Sequence, residues 1–306
     1  MAQAPLKPHW FKIRPAAGDD YVQIKRSLHH NGLHTVCQEA RCPNLAECWG
    51  AGTATFMIMG DVCTRGCRFC AVATGNPKGH LDPLEPYKVA KSLADWGLEY
   101  AVITSVDRDD LPDGGSAHFA QTIRQIRLHA PRTGVEVLIP DFRGDRQALQ
   151  RIVEARPDVV AHNIETVERL SPGVRDVRAN YRQSLGVLEA VKEMDGARYT
   201  KSSIMLGLGE RVDEVRQAML DLRAAGVDVL TLGQYLRPTR SKRHLDVVQY
   251  LPLEQYDAYR RMGQGLGFAY VASGPLVRSS YRAGEFFMKA LLNRGGPTHG
   301  NQEQAA

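Results

Sequence analysis

Residues 53–70 read TATFMIMGDVCTRGCRFC. The first seven, 53–59, are apolar or β-branched nearly throughout, as a parallel strand buried on both faces requires. The loop that follows carries Cys63, Cys67 and Cys70, so three thiols stand at the carboxyl end of a first β unit. Downstream the pattern recurs. Short apolar runs at 100–106, 135–140, 158–162, 200–206, 228–233 and 269–273 alternate with amphipathic stretches at 86–96, 116–130, 145–155, 183–194, 213–225 and 253–266. Apolar residues in the longer stretches recur three and four apart, the helical spacing. Gly97, Gly226 and Gly267 end three of them, where a left-handed cap costs little. Alternating β and α units over about 220 residues predict a parallel sheet, either a barrel or a doubly wound sheet. In both, chemistry belongs at the carboxyl ends of the strands.

The first 52 residues do not join this alternation. They hold Pro5, Pro8, Pro15, Gly18 and Gly32, one short helix around 19–30 and a cysteine-rich stretch. Residues 1–52 are therefore expected to form an N-terminal extension packed on the barrel, and 53–283 the barrel with a closing segment. Residues 284–306 are expected to be a disordered tail, because 293–306 is polar and Gly-rich with no apolar face to bury. No internal repeat is present beyond the β/α rhythm.

Composition supports an ordinary globular protein. The 306 residues are 43% apolar, 24% charged and 7% aromatic, which excludes general disorder, collagen and a disulfide miniprotein. A chain this long buries a core without staples. Lys plus Arg number 39 against 34 Asp plus Glu, a net charge of +5 that is spread out and not interleaved with aromatics, so nucleic acid is not an expected partner. No apolar run reaches the roughly 18 residues of a membrane helix, and the opening MAQAPLKPHWFKIRP lacks the apolar core of a signal peptide. A cytoplasmic protein is expected.

All six cysteines lie between Cys37 and Cys70, and 71–306 has none. Structural disulfides would be distributed to close long loops, and a reducing cytosol keeps thiols free. Clustered cytosolic thiols point to a metal. They form two triplets of different spacing: Cys37, Cys42 and Cys48 as C-x4-C-x5-C, then Cys63, Cys67 and Cys70 as C-x3-C-x2-C. A structural zinc site wants four ligands, often from two CxxC knuckles, and neither triplet supplies them. In a 4Fe–4S cluster each iron takes one outside ligand, so a triplet binds three irons and leaves the fourth open. By spacing alone, a zinc site or a fortuitous arrangement remains the alternative.

The second triplet, with Phe69 ahead of Cys70, resembles the radical S-adenosylmethionine (SAM) enzymes. In that superfamily the open iron is chelated by the amino and carboxylate groups of SAM, and one electron cleaves the sulfonium to a 5′-deoxyadenosyl radical. The first triplet, joined to Arg278-Ser279-Ser280-Tyr281, narrows the resemblance to the lipoyl synthase family, from about Pro5 to Ala283.

The resemblance implies an α/β fold, a partial TIM-type (β/α)6 barrel with N- and C-terminal extensions over its mouth. It implies that Cys63, Cys67 and Cys70 hold the SAM-cleaving cluster, and that Cys37, Cys42 and Cys48 hold an auxiliary 4Fe–4S cluster with Ser279 as fourth ligand, Ser280 being the alternative. An alkoxide suits a soft iron site less well than a thiolate, so that iron is released more readily. In the family the auxiliary cluster is consumed as the sulfur source. Two SAM molecules are spent in placing sulfur at carbons 6 and 8 of an octanoyl group amide-linked to a carrier lysine. Implied partners are octanoylated lipoyl-carrier domains, namely 2-oxoacid dehydrogenase E2 subunits and the glycine-cleavage H protein. An electron donor such as ferredoxin or flavodoxin and an iron-sulfur carrier that rebuilds the cluster are also implied. An insertase resembling biotin synthase would share the CxxxCxxC loop but has no use for the first triplet, and a non-catalytic module built on two zincs is the rival from another class.

SAM needs more than an iron. His162-Asn163-Ile164-Glu165-Thr166, at the end of the fourth candidate strand, is similar to the segment that holds the SAM ribose in sulfur-inserting radical enzymes. Asn163 and Glu165 flank Ile164, so both can face the mouth. Arg178 and Lys201 are candidates to pair with the methionine carboxylate, and Ser105 and Asp107, in the polar stretch 104–107, to receive its amino group. Gly207-Leu208-Gly209-Glu210 lacks the third glycine of a dinucleotide fingerprint and reads as a tight β-to-α turn. His29, His30 and His34 read as surface or capping residues.

Overall fold

The computed structural model describes Pro8, residues 19–39, Asn44 and residues 53–280. Its main sheet runs β1 (His34–Thr35), β2 (Thr53–Ile58), β5 (Tyr100–Ser105), β6 (Gly134–Leu138), β7 (Val159–Ala161), β8 (Tyr199–Leu206), β9 (Val229–Gln234) and β10 (Tyr270–Gly274) in that order. The seven strands from β2 onward are parallel. A smaller parallel pair, β3 (Val62–Cys63) with β4 (Ala73–Thr74), brackets the cysteine loop. Among the described residues the main sheet does not close, and β1 and β10 remain its edges.

Six helices return the chain between the parallel strands: α3 (Glu85–Trp96), α4 (Ser116–His129), α5 (Arg146–Glu154), α7 (Tyr181–Met194), α8 (Val212–Ala224) and α9 (Leu253–Gly265). The result is six β/α units and a seventh strand, the expected partial barrel. α1 (Asp19–Asn31) precedes β1, α2 (Val36–Glu39) follows it, and the one-turn α6 (Ser171–Val174) stands ahead of α7. β1 adds antiparallel to β2, with His34 opposite Met57, so part of the N-terminal extension is built onto the sheet edge. No helix among the described residues is long and apolar enough to cross a membrane. The tail from 284 onward lies outside the described residues.

Strand alternation decides what faces where. Phe56, Ile58, Ile103, Val135 and Val137 are fully buried in the layer between sheet and helices, where Phe56 stacks on Trp96 at 5.6 Å. The alternate residues Thr55, Thr104, Glu136, Lys201 and Ser203 are buried too, but they are polar and line the inside of the curve. The concave side is therefore a place for a ligand rather than a packed apolar core.

Local chemistry explains the departures from the expected boundaries. The helix expected from 183 starts at Tyr181, because the Asn180 side chain accepts from the Gln183 N–H at 2.9 Å and caps it. The strand expected over 158–162 stops at Ala161, and beyond it Glu165, at a left-handed φ of 67°, itself makes a single bridge to Ile204. The 207–210 turn is as tight as expected: Gly207 has φ 98°, and the Glu210 carboxylate accepts from the Gly207 and Leu208 amides at 2.6 and 2.9 Å.

Candidate active site

At the carboxyl ends of the strands lies a cavity of about 500 Å³. It is lined by Cys63, Cys67, Cys70, Ser105, Asp107, Asn163, Glu165, Ser279 and Ser280, with Phe69, Leu138, Ile139 and Met205 as apolar cover. The structure thus collects most of the site residues expected from the sequence around one cavity.

The cysteine loop is pinned at both ends. Gly75 N–H donates to the Cys63 carbonyl at 2.9 Å, and Thr64 N–H to the Asp107 carbonyl at 3.0 Å. The Cys63 sulfur receives N–H groups from Arg65 and Asp107, each at 3.4 Å, and the Cys67 sulfur one from Asp176 at 3.3 Å. Burial, with the Asp107 charge, pushes the Cys63 thiol up to about 12. Burial does the same to Cys67, also to about 12, and raises Cys70. Such thiols stay protonated at neutral pH until a metal draws the protons off.

The donor set fits a cluster better than a single ion. The three thiols are free, and no three His, Cys, Asp or Glu side chains among the described residues converge as for one metal ion. A 4Fe–4S cube takes one thiolate per iron, so its ligands stand apart around it. A nucleoside ligand fits as well: Ser105 Oγ and Asn163 Oδ1 are buried on the cavity wall with no hydrogen-bond partner. Buried polar atoms of this kind are costly unless a ligand satisfies them.

Charge around the loop is organised by Arg65, which is 4% exposed. It donates to Asp109 at 2.9 and 3.0 Å and to Asp141 at 2.7 and 2.8 Å. Asp109 also accepts from Thr64, Arg143 and Arg178, so one carboxylate ties the cysteine loop to two neighbouring strand-end loops. Burial would raise Asp109, but the bonds from Arg65 and its companions hold it at about 2. Asp107 goes the other way, up to about 6, because burial and the nearby Asp141 and Asp109 charges outweigh the pull of Arg65. Arg243 donates to the Cys70 and Val72 carbonyls at 2.9 and 3.0 Å and braces the far end of the loop.

Asn163 and Glu165 reach the cavity together, with Asn163 donating to Glu165 Oε1 at 3.2 Å, while Ile164 turns to the helices. Burial raises the Glu165 carboxyl. His162 lines the cavity as well, but both its ring nitrogens are taken, by the Ile139 carbonyl at 2.8 Å and Ser184 at 2.9 Å. Burial, with the Arg175 charge next, pushes it down to about 4, so it is neutral.

Two expected residues are elsewhere. Lys201 does not line the cavity: its ammonium is buried against Glu136, at 2.7 and 3.0 Å, and Tyr100 donates to the same carboxylate at 3.0 Å. Arg178 lies on the outer rim, bonded to Asp176, Asp109 and the Thr64 carbonyl. Among the arginines that do line the cavity, Arg175 comes from the same loop as Arg178; it is 8% exposed, with one nitrogen 2.8 Å from Ser184 Oγ. Sequence reasoning missed it, because two arginines three positions apart in one loop look alike until the loop is folded. Lys201→Met would leave the Glu136 charge buried and unpaired, an expected loss of about 3–5 kcal/mol in urea unfolding. Adding Glu136→Gln to that variant should restore most of the loss.

Cys42 and Cys48 lie outside the described residues, as does the side chain of Cys37. Between Cys42 and Cys48, however, Asn44 is described. Its amide donates to the Leu276 carbonyl at 2.6 Å and so links the N-terminal extension to the segment that presents Ser279.

Comparison with known proteins agrees with this geometry. A family model for the radical SAM superfamily matches residues 57–222, and one for the N-terminal domain of lipoyl synthase matches residues 2–42. The chain is 56% identical over 294 residues to the lipoyl synthase of Myxococcus xanthus, covering 96% of this chain and 98% of that one. It is 53% identical to the mitochondrial lipoyl synthase of Aedes aegypti, covering 98% of this chain and 77% of that one. Among solved structures, methylornithine synthase shares the fold at a TM-score of 0.54 and 14% identity, over 85% of this chain and 83% of that one.

Proposed function

The chain belongs to the lipoyl synthase family of the radical SAM superfamily, and from that premise we infer that it inserts two sulfur atoms, at carbons 6 and 8, into an octanoyl group carried on a lysine of a carrier domain. These carbons are neither acidic nor electrophilic, so no general base or nucleophile reaches them. A 4Fe–4S cluster with SAM supplies the radical that does, and an auxiliary cluster supplies the sulfur. The observation that carries this reading is the one cavity that three half-buried thiols, two orphaned polar atoms and Ser279 with Ser280 all line.

Within that cavity the roles divide by chemistry. Cys63, Cys67 and Cys70 hold three irons and leave the fourth for SAM. Asn163 and Glu165 take the ribose hydroxyls. Ser105 and Asp107 receive the amino group, an ammonium being a natural partner for a carboxyl raised to about 6. Arg175, in place of Arg178 and Lys201, faces the methionine carboxylate. Ser279 is the fourth ligand of the auxiliary cluster with Cys37, Cys42 and Cys48. The test is mass spectrometry of an octanoylated lysine peptide after incubation with reduced enzyme and SAM. A gain of two sulfur atoms supports the reading, and SAM cleavage without any gain of sulfur defeats it.

The natural substrate is a protein arm, so the rim matters as well as the cavity. The loop after β9 turns Arg240 and Lys242 outward, beside the Arg237 and Arg243 that line the cavity. On this reading an acidic lipoyl-carrier domain docks there, electron donor and cluster-rebuilding carrier being further partners, and the chain works in the cytoplasm. Arg240→Glu with Lys242→Glu should raise KM for a carrier protein by about tenfold at low salt, the scale of electrostatic steering. A short octanoyl-lysine peptide should show no change.

A further inference from the structure

We propose that residues 275–280 form a two-point latch, seated on Asn44 and Gly233, that sets the reach of Ser279 into the cavity. The chemistry of this proposal rests on the auxiliary-cluster reading, but its geometry does not. Asn44 is 4% exposed and stands two residues after Cys42 and four before Cys48. Its amide grips the Leu276 carbonyl at 2.6 Å across 232 positions of chain, and Ser279 follows three residues later.

Gly233, near the end of β9, is the second seat. A methyl group there would overlap the Val277 carbonyl oxygen and lie 2.9 Å from its carbon. Its φ is outside the left-handed region, so the missing side chain serves close approach of the segment and not backbone freedom. Between the two seats, Val277 N–H donates to the Gly274 carbonyl at 3.1 Å, and Arg278 donates to the Val277 and Gln234 carbonyls at 2.7 and 3.3 Å. The segment is laid flat on the barrel end with Ser279 and Ser280 on the cavity side.

A serine that ligates an iron due to be lost has to be held close and still let go. One neutral hydrogen bond biases such an equilibrium by roughly 2- to 10-fold, enough to favour the seated state without fixing it. Asn44 is thus a positioning residue, acting through Leu276 on Ser279.

The test uses the full-length protein purified with its clusters. N44D keeps the shape of the side chain but replaces the donating nitrogen with an oxygen that repels the Leu276 carbonyl. G233A lifts the segment from the opposite side, and it decides the matter alone should N44D fail to fold. Hydrogen exchange at the Val277 amide is expected to rise roughly 2- to 10-fold in N44D, and further in G233A. N44Q, which keeps a donor, should recover part of the protection. The Mössbauer signature of an oxygen-ligated iron should weaken in both variants while 5′-deoxyadenosine is still released from SAM. Unchanged exchange in N44D and G233A overturns the latch whatever the clusters do. Faster exchange with an intact oxygen-ligated iron overturns its role in positioning Ser279. If the unmutated protein lacks that iron signature, the auxiliary-cluster reading fails, and the latch is still judged by exchange.

Discussion

Cys67→Ala is expected to end SAM cleavage, with 5′-deoxyadenosine falling at least a thousandfold, about 4 kcal/mol of lost barrier lowering. The expectation follows from how few ligands the site has. Three thiols line the cavity, and among the described residues no other Cys, His, Asp or Glu joins them to complete a metal-binding group. Removing one leaves a cluster site with two anchors, and the open position that should receive SAM is no longer unique. The hydrogen-bond partner of the Cys67 sulfur cannot substitute: it is the Asp176 amide at 3.3 Å, a donor and not a ligand. Cys67→Ser tests the same point more gently, since an oxygen ligand is poorly matched to soft iron. Iron analysis distinguishes loss of the cluster from loss of its chemistry. About eight irons per chain are expected before substitution, two 4Fe–4S clusters' worth, and about four in Cys67→Ala. A Cys67→Ala protein that still makes 5′-deoxyadenosine at the original rate would remove this triplet from the SAM-cleaving role.

The fold was legible because it is periodic. Each of the seven apolar runs became a parallel strand and each of the six amphipathic stretches a helix, within two residues in most cases, since burial on two faces and burial on one stripe leave different spacings in a sequence. The short β3–β4 ladder was not legible. Two residues on each side carry no period, and the pair exists because the cysteine loop folds back on itself. The left-handed Glu165 was hidden for a related reason: a non-glycine residue with φ 67° is imposed by its surroundings and not by its own preference.

The site divides along the same line. Residues carried by a motif or a strand end, Cys63, Cys67, Cys70, Asn163, Glu165, Ser105 and Asp107, were found because local spacing announces them, and all face the cavity. The charged residues were harder, because a charge is placed by its partner. Lys201 was misread because Glu136, its partner, lies 65 positions away. Arg178 was preferred to Arg175 because nothing local reveals that Asp109 and Asp176 draw the former outward. The Arg65, Asp109 and Asp141 network was missed entirely, although it clamps the cysteine loop, since its members are spread over three loops that only the folded sheet brings together.

Cys42→Ala is expected to separate the two halves of the reaction: 5′-deoxyadenosine continues to form near the original rate, while sulfur insertion falls below detection. Cys42 belongs to the triplet that precedes the barrel, and the family model for the N-terminal domain of lipoyl synthase extends to residue 42. On the proposed reading the groups that serve SAM cleavage, Ser105, Asp107, Asn163 and Glu165, line the cavity at the strand ends, and Cys42 serves only the sulfur. What Cys42 shares with the cavity is the route through Asn44, two residues on, to Leu276 and so to Ser279. If the auxiliary cluster is the sulfur donor, its loss leaves a substrate radical with no sulfur to meet, and the octanoyl chain should be recovered unchanged, or carrying deuterium in heavy water where an electron from the supplied reductant and a solvent deuteron quench the radical. Isotopically labelled sulfide built into the protein beforehand makes the test direct. Label appearing at both carbons of the product from the unmutated chain, and absent with Cys42→Ala, is the expected result. Full product from the Cys42→Ala protein, or unlabelled sulfur in the product of the loaded original, would mean that the sulfur comes from somewhere other than this triplet.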